Sequence, residues 1–376
     1  MNNSFWNGKK VLITGHTGFK GSWLSLWLLL LGAEINGFAL PPNDNQQLFN
    51  DLFVNNDKFK NLSGKLFSNF GDINDYENIK KYVEEVKPEI VFHLAAQPIV
   101  RKSYQEPIKT WETNLIGSLN LLNSLRNLKN KCATVLITTD KVYKNKEWIY
   151  GYRENDELGG SDPYSASKAA MEILVDSFRS SFCGKNIYQS NDLYLATARA
   201  GNVIGGGDWS EDRIIPDVVK ALINKKPVEI RNPNSTRPWQ HVLEPLSGYL
   251  LLAEGLFKYD DGPESLNPFA SSFNFGPSNA SNKTVLELVH KIFNFWDGKY
   301  KIVENNSHPN EARLLNLISD KALHQLNWKP IWGFDKTISH TINWYLKVEN
   351  GESPLQCSLE DIKAFQDMMT MKKKLF

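Results

Sequence analysis

Few stretches leave a chain as little conformational freedom as residues 9–31. An apolar run, Lys9-Lys10-Val11-Leu12-Ile13-Thr14, leads into Gly15-His16-Thr17-Gly18-Phe19-Lys20-Gly21, and an apolar segment of helical length, 22–31, follows. This reads as a buried strand, a glycine-rich turn and a helix. The first glycine allows the tight turn, the second lets backbone approach a pyrophosphate, and the third lets helix and strand pack closely. The helix N-terminus then faces the phosphates. A structural strand-to-helix turn is the alternative, but the flanking strand and helix supply the context that dinucleotide binding requires.

The same alternation continues. Residues 34–40, 65–69, 89–94 and 133–137 read as further strands, with helical patterns at 76–86 and 109–127 between them. Five rounds of strand and helix predict an α/β chain, a doubly wound Rossmann sheet of parallel strands. Ligand should bind beyond the strands' C-terminal ends. Strand two ends near Asp44, a few residues later than the acid that takes the ribose hydroxyls, with no basic residue for a 2′-phosphate nearby, which leans toward NAD over NADP. Asp72, with Ile73 after it, is expected to cap the next helix or to accept from an adenine amine. Ala95, Ala96 and Gln97 end strand four, where small side chains leave room for a cofactor, and Asn114 lies early in the 109–127 helix.

A second cluster runs from Thr138-Thr139-Asp140-Lys141 to Tyr164-Ser165-Ala166-Ser167-Lys168. Strand 133–137 delivers its first part and a helix over Pro163–Phe182 its second. Tyr164 and Lys168 are four apart and share a helix face. A Tyr has an ordinary pKa of about 10. An ammonium and a positively charged ring beside it would lower that toward neutrality, making a base for a hydroxyl. Tyr and Lys at this spacing are also common surface neighbours, so the pair gains meaning only from the cofactor site.

After strand 193–200 the texture shifts to short strands and loops, with helices at 214–224, 243–258, 285–296 and 336–347. This predicts a Rossmann domain over 1–200 carrying the catalytic residues, and a smaller mixed α/β substrate lobe over 201–376 with segments returning to the first domain. Arg231, Arg237 and Arg313 stand beside turn formers, where a guanidinium suits a phosphate pair. In Arg237-Pro238-Trp239-Gln240-His241 the proline is expected to stiffen a loop. The tail ending Lys372-Lys373-Lys374 reads as a solvated end.

A net charge of +1 from 43 basic and 42 acidic residues gives no electrostatic case for nucleic acid or an anionic membrane. Cys132, Cys183 and Cys357 have neither disulfide nor zinc spacing, which suggests reduced core residues and no metal site. The N-terminus lacks a signal-peptide pattern, and no apolar run is long enough to span a bilayer. A cytoplasmic location is the expectation.

Taken together, TGxxGxxG after strand one, Thr138-Thr139-Asp140 after strand five and YxxxK in the next helix resemble the extended short-chain dehydrogenase/reductases that act on nucleotide sugars, over nearly the whole chain. The resemblance is closest to the branch that dehydrates CDP-glucose at C4 to C6, through residues 5–21, 139–143, Asn202-Val203-Ile204-Gly205-Gly206-Gly207-Asp208-Trp209 and 237–242. It implies NAD as a regenerated cofactor and CDP-D-glucose converted to CDP-4-dehydro-6-deoxy-D-glucose, a step in deoxysugar biosynthesis such as that of lipopolysaccharide O-antigen.

The resemblance also implies roles. Tyr164 takes the C4 hydroxyl proton while hydride leaves C4, Lys168 assists it and holds the ribose, and Thr139 orients the C4 oxygen. Asp140, its pKa raised by burial, protonates the departing C6 hydroxyl. Related dTDP-glucose dehydratases carry Glu where this chain has Lys141, so Lys141, Tyr164 or a water removes the C5 proton. Gly15, Thr17, Gly18, Phe19, Lys20 and Gly21, with the Asp72, Ala95 and Asn114 groups, hold the cofactor, and Asn202, Arg213, Arg237 and Arg313 hold the substrate. The helices at 109–127 and Pro163–Phe182 form a homodimer contact. A nucleotide-sugar 4-epimerase needs no acid at Asp140, and a non-catalytic NAD-binding protein does not require all four of Thr139, Asp140, Tyr164 and Lys168; these are the alternatives.

Overall fold

The structure, a computed structural model, describes residues 3–43, 47–185, 190–260, 267–303 and 314–374, so Asp44 and Arg313 lie outside the described residues. Its main sheet has seven strands: β1 (Lys10–Thr14), β2 (Glu34–Ala39), β3 (Lys65–Phe70), β4 (Ile90–His93), β5 (Cys132–Ile137), β6 (Leu193–Ala200) and β7 (Ser272–Phe275), in the spatial order β7-β6-β5-β4-β1-β2-β3. All neighbours pair in parallel. The order reverses at β1, which is the crevice where doubly wound sheets bind ligands.

The strands read as continuous apolar runs because both faces are covered. Alternation decides which residue goes where: Val11, Ile13, Ile90 and Phe92 enter the core on one face, Leu12 and Val91 that on the other. The first face is packed by α1 (Phe19–Leu30), the second by α2 (Tyr76–Val86), α3 (Gly117–Leu125) and α4 (Pro163–Phe182). Three more helices, α5 (Leu243–Lys258), α6 (Phe334–Glu349) and α7 (Pro354–Lys374), close the first face.

Four features depart from expectation. The helix over 109–127 is broken: Pro107–Trp111 is α-helical, Glu112–Ile116 is a π-helical turn, and α3 follows. The bulge turns Asn114 fully inward, where it reaches both a strand-end loop and α4. The tail is not solvated as far as Lys372; the side chains of Lys373 and Lys374 lie outside the described residues. It docks as α7, with Leu355, Ile362 and Phe365 buried and Lys372 Nζ donating to the carbonyl of Ile331 at 2.9 Å. The segment at Arg237 is a short strand, Thr236–Pro238, paired antiparallel with Asn282–Thr284. Strand β7 had no signal strong enough to separate it from the surrounding loops.

Candidate active site

Strands β1, β4, β5 and β6 end along one edge, above which lies a cleft of about 2370 Å³. That exceeds the ~300–1,000 Å³ of a usual single-ligand pocket, so the cleft has room for two sizeable ligands. It is lined by Gly15, Thr17, Gly18, Phe19, Lys20 and Gly21 on one side and Asn202, Arg213 and Arg237 on the other.

The glycine turn is built for close approach. Gly15 sits at φ 75°, and a Cβ there would lie 2.7 Å from Ala95 N. At Gly21 a Cβ would stand 2.2 Å from the Gly15 carbonyl, so helix and turn touch through backbone alone. Gly18 is open by comparison, its nearest neighbour being the Gly15 carbonyl at 3.4 Å. It is also the N-cap of α1 with no side chain capping the helix, which leaves first-turn amides for another acceptor. The helix begins at Phe19, so Phe19, Lys20 and Gly21 form its first turn. Thr17 braces the turn by donating to the Leu40 carbonyl at 3.2 Å.

At the neighbouring strand ends, Asp72 accepts from Asn74 N at 2.9 Å, and the cap of α2 is Asp75, which accepts from Asn78 N. The capping option for Asp72 therefore passes to Asp75. Asp72 is exposed on the cleft and Ile73 is buried against it. Ala95 and Ala96 line the cleft. Asn114 does not; it accepts from Gln97 N at 2.8 Å and donates to Ser167 Oγ at 2.9 Å, and so ties the Gln97 loop to α4.

The polar cluster assembles where β5 meets α4. Asp162 caps α4 by accepting from Ser165 N at 2.9 Å, and Pro163 at N1 sets its first turn. Thr139 donates to Asp140 Oδ1 at 3.0 Å and also interacts with the Tyr164 hydroxyl. Asp140 is buried, while Lys141 beside it is partly exposed with its ammonium 3.7 Å from Asp140 Oδ1. Lys168 Nζ donates to the Ile137 carbonyl at 3.0 Å.

In the chain alone Tyr164 is not lowered toward neutrality. Burial pushes it up to about 12, the nearby Asp140 charge adds to that, and the Thr139 hydrogen bond and Arg213 oppose it only in part. Lys168 spends its ammonium on the Ile137 carbonyl and is itself lowered to about 8 by burial, with Glu172 countering. Lys20 reaches into the same cluster. Burial and the charges of Arg213 and Lys168 bring it down to about 7 against the pull of Asp140.

On the other wall, Arg213 Nη1 donates to buried Asp208 at 3.1 Å, and Arg237 Nη1 to the Thr236 carbonyl at 2.8 Å. Arg231 meets Asp212 at 3.4 Å, and Arg101 reaches the same carboxylate at 2.7 Å from the β4 side.

Three buried residues escaped the sequence reading: Glu172, Arg199 and Tyr143. Arg199 is a charge inside the apolar run of β6, and Glu172 is one turn past Lys168; both are signals that spacing alone offered. Arg199 Nη2 donates to Glu172 at 2.7 Å and Nη1 to the Tyr143 hydroxyl at 2.7 Å.

Comparison with known proteins agrees with this geometry. A sequence model of the GDP-mannose 4,6 dehydratase family matches residues 12–341. The chain is 44% identical over 371 residues to a CDP-glucose 4,6-dehydratase of Salmonella typhimurium, covering 98% of this chain and 99% of that protein. It is 25% identical to a dTDP-glucose 4,6-dehydratase of the same organism, covering 90% and 92%. Among solved structures, the dTDP-glucose 4,6-dehydratase of Bacillus anthracis in complex with NAD shares the fold with a TM-score of 0.72 at 21% identity, covering 93% of this chain and 100% of that one. A UDP-glucose 4-epimerase of Stenotrophomonas maltophila with bound NAD does so with a TM-score of 0.75 at 18% identity, covering 92% and 100%. Fold, cleft and near full-length likeness converge: the chain belongs to the nucleotide-sugar 4,6-dehydratase family described by the GDP-mannose 4,6 dehydratase model, on the short-chain dehydrogenase/reductase fold.

Proposed function

We propose that this chain is an NAD-dependent nucleotide-sugar 4,6-dehydratase that converts CDP-D-glucose to CDP-4-dehydro-6-deoxy-D-glucose and water. The observation that carries the reading is buried Asp140, hydrogen-bonded to Thr139 and facing Tyr164 in one cluster at the end of β5. An epimerase has no leaving hydroxyl for such an acid to protonate. The 44% identity to a CDP-glucose 4,6-dehydratase over nearly both full chains supports cytidine as the nucleotide.

The residues present fit NAD. The turn at Gly15 and Gly21 has no space for a Cβ, whereas Gly18 is open and the first turn of α1 has no side-chain cap, which suits a pyrophosphate. Gly15, Thr17, Gly18, Phe19, Lys20 and Gly21 would hold the diphosphate, Asp72 and Ile73 the adenosine, and Ala95, Ala96 and Gln97 the face of the nicotinamide half. Asn114 acts by fixing Gln97. When bound, NAD supplies the hydride acceptor for C4 and, once reduced, the hydride returned to C6.

The chain's own groups divide the proton work. Thr139 orients the C4 oxygen, and Tyr164 accepts the C4 hydroxyl proton at its phenolic oxygen. Lys168 supplies positive charge beneath it and a donor to the ribose. The 4-ketone acidifies the C5 hydrogen, which is why oxidation comes first. Removal of the C5 proton falls to Tyr164, to a water, or to Lys141, which lies 3.7 Å from Asp140 and accepts a proton only as the neutral amine, and Asp140 gives its proton to the departing C6 hydroxyl. Asn202, Arg213 and Arg237 hold the sugar diphosphate, with Arg313 as a further candidate.

In this reading residues 1–200 form the NAD-binding domain and 201–376 mainly the substrate lobe, with β7 and α5 to α7 returning to the sheet. The enzyme works as a cytoplasmic homodimer. Exposed Ile108, Trp111 and Ile116, with Ile173 on α4, supply an apolar face for that contact. Among the described residues no helix is long and apolar enough to cross a membrane.

Incubation of the purified protein with CDP-glucose tests the reaction. The alkaline 4-keto chromophore is expected. Its absence, with CDP-galactose formed instead, would replace the dehydratase reading with the epimerase one.

A further inference from the structure

Lys168 has one acid close by that is not itself part of the substrate chemistry. Glu172 lies one turn further along α4 and is almost fully buried. Its carboxylate accepts from Thr138 Oγ1 at 2.5 Å, Thr197 Oγ1 at 2.7 Å, Arg199 Nη2 at 2.7 Å and Ser272 Oγ at 3.2 Å. These donors come from the residue after β5, from within β6 and from the first residue of β7, so a single carboxylate joins three strands to the helix that carries Tyr164 and Lys168. Thr138 is the residue after Ile137, whose carbonyl receives the Lys168 ammonium.

The network continues from Arg199. Its Nη1 donates to the Tyr143 hydroxyl at 2.7 Å, and that hydroxyl donates to Asn274 Oδ1 at 2.7 Å. Tyr143 ends the 3-10 turn Asp140–Val142. Glu172 is thus linked at one end, through Thr138, to the strand end whose Ile137 carbonyl receives the Lys168 ammonium, and at the other to the turn that presents Asp140 and Lys141.

We propose that Glu172 is a positioning residue for catalysis: its buried carboxylate is the counter-charge of Lys168 and, through Arg199 and Tyr143, the anchor of the Asp140 turn. A buried ion pair adds little net stability over apolar residues of the same volume, so stability alone gives no account of this one. Breaking it, however, leaves a charge buried and unpaired.

The surrounding charges are few. Lys168 faces His93 of β4, held neutral by burial at about 3, Lys20 of α1, and Glu172. Glu172 faces Arg199 of β6 and Arg179 of its own helix, with Glu154 and Lys321 on the far side of Arg199. Burial alone would raise the Glu172 carboxyl; the Arg199 charge and the bonds from Arg199, Thr138 and Thr197 outweigh it, so it stays ionised. It is the negative charge that opposes desolvation of Lys168. Removing it lets Lys168 lose its proton at lower pH.

The inference rests on the reading of Tyr164 and Lys168 as the pair that serves C4 oxidation. The test is the pH profile of NADH formation in a single turnover with CDP-glucose, for wild type, Glu172→Gln, Glu172→Asp and Lys168→Met. Glu172→Gln is expected to lose about tenfold or more at neutral pH, to move the alkaline limb down by about one unit, and to keep the KM for CDP-glucose. Glu172→Asp should restore most of the rate. Because Arg199 without its partner can unfold the chain, the double variant E172Q/R199M removes both charges, and a smaller displacement of the limb in the same direction is expected there. A wild-type limb and wild-type rate per folded site in Glu172→Gln or in the double variant overturn the proposal. If Lys168→Met itself forms NADH normally, the underlying reading fails instead.

Discussion

Thr139 donates its hydroxyl proton to Asp140 at 3.0 Å while also meeting the Tyr164 hydroxyl, so the residues proposed as base for oxidation and acid for elimination touch the same side chain. In the proposed mechanism the two chemical steps fall within one hydrogen-bonded unit, yet each uses a different member. Asp140→Asn should form NADH from bound CDP-glucose and then stall before water loss. A fall in kcat of about 10²–10⁴-fold is expected for a lost general acid. Single-turnover absorbance of reduced nicotinamide, compared with 4-keto product, distinguishes the steps; full turnover would remove Asp140 as the acid.

Tyr164→Phe should block the earlier step, with NADH formation slowed by about 10²–10⁴-fold. The unliganded chain offers a second measurement. Tyr164 is held up at about 12 by burial and by Asp140, so an ultraviolet difference titration against the Phe variant should show no phenolate near neutrality. Adding NAD, which brings positive charge into the cleft, should lower that titration; no change on binding would argue against Tyr164 as the base.

Lys168 carries a stability cost. Burial lowers it from 10.5 to about 8, so between these values the unfolded chain binds more protons and stability rises with pH; below about 8 the penalty is fully present. Lys168→Met should therefore flatten the stability curve from pH 8 to 10.5. At pH 7 it should unfold about 1–3 kcal/mol less easily than wild type while losing activity. Thermal or denaturant unfolding at several pH values checks this.

Gly21→Ala places a methyl 2.2 Å from the Gly15 carbonyl, backbone against backbone, so the turn must open. Loss of about 1–3 kcal/mol of stability is expected, with NAD affinity falling in parallel. Calorimetric titration with NAD measures the second effect, and unchanged affinity would remove the turn from the cofactor site.

Arg237 stands on the short strand Thr236–Pro238, whose pairing with Asn282–Thr284 holds it at the cleft. Arg237→Met should raise the KM for CDP-glucose by about 10–100-fold, the worth of one charged hydrogen bond to phosphate, with NAD affinity unchanged. Weakened NAD binding instead would place the guanidinium on the cofactor.

The sequence by itself determined six of the seven strands of the main sheet, its ligand-binding edge and most of the residues named for it. Apolar runs of strand length separated by helical periodicity admit few other solutions, and glycines at 15 and 21 are needed where backbone must touch backbone. It also placed Tyr164 above Lys168, since helix spacing is local arithmetic. Tertiary structure decided what those groups experience. Tyr164 is raised rather than lowered because burial and Asp140 act across space, and Lys168 turns to the Ile137 carbonyl because β5 ends beneath it. The same holds for the bulge that turns Asn114 inward, for the tail that docks as α7, and for the contact between Glu172 and Arg199. Hydrogen bonds and desolvation between segments distant in the chain leave no periodic trace, so only the packed sheet and its helices could reveal that the charge below the active site is already paired.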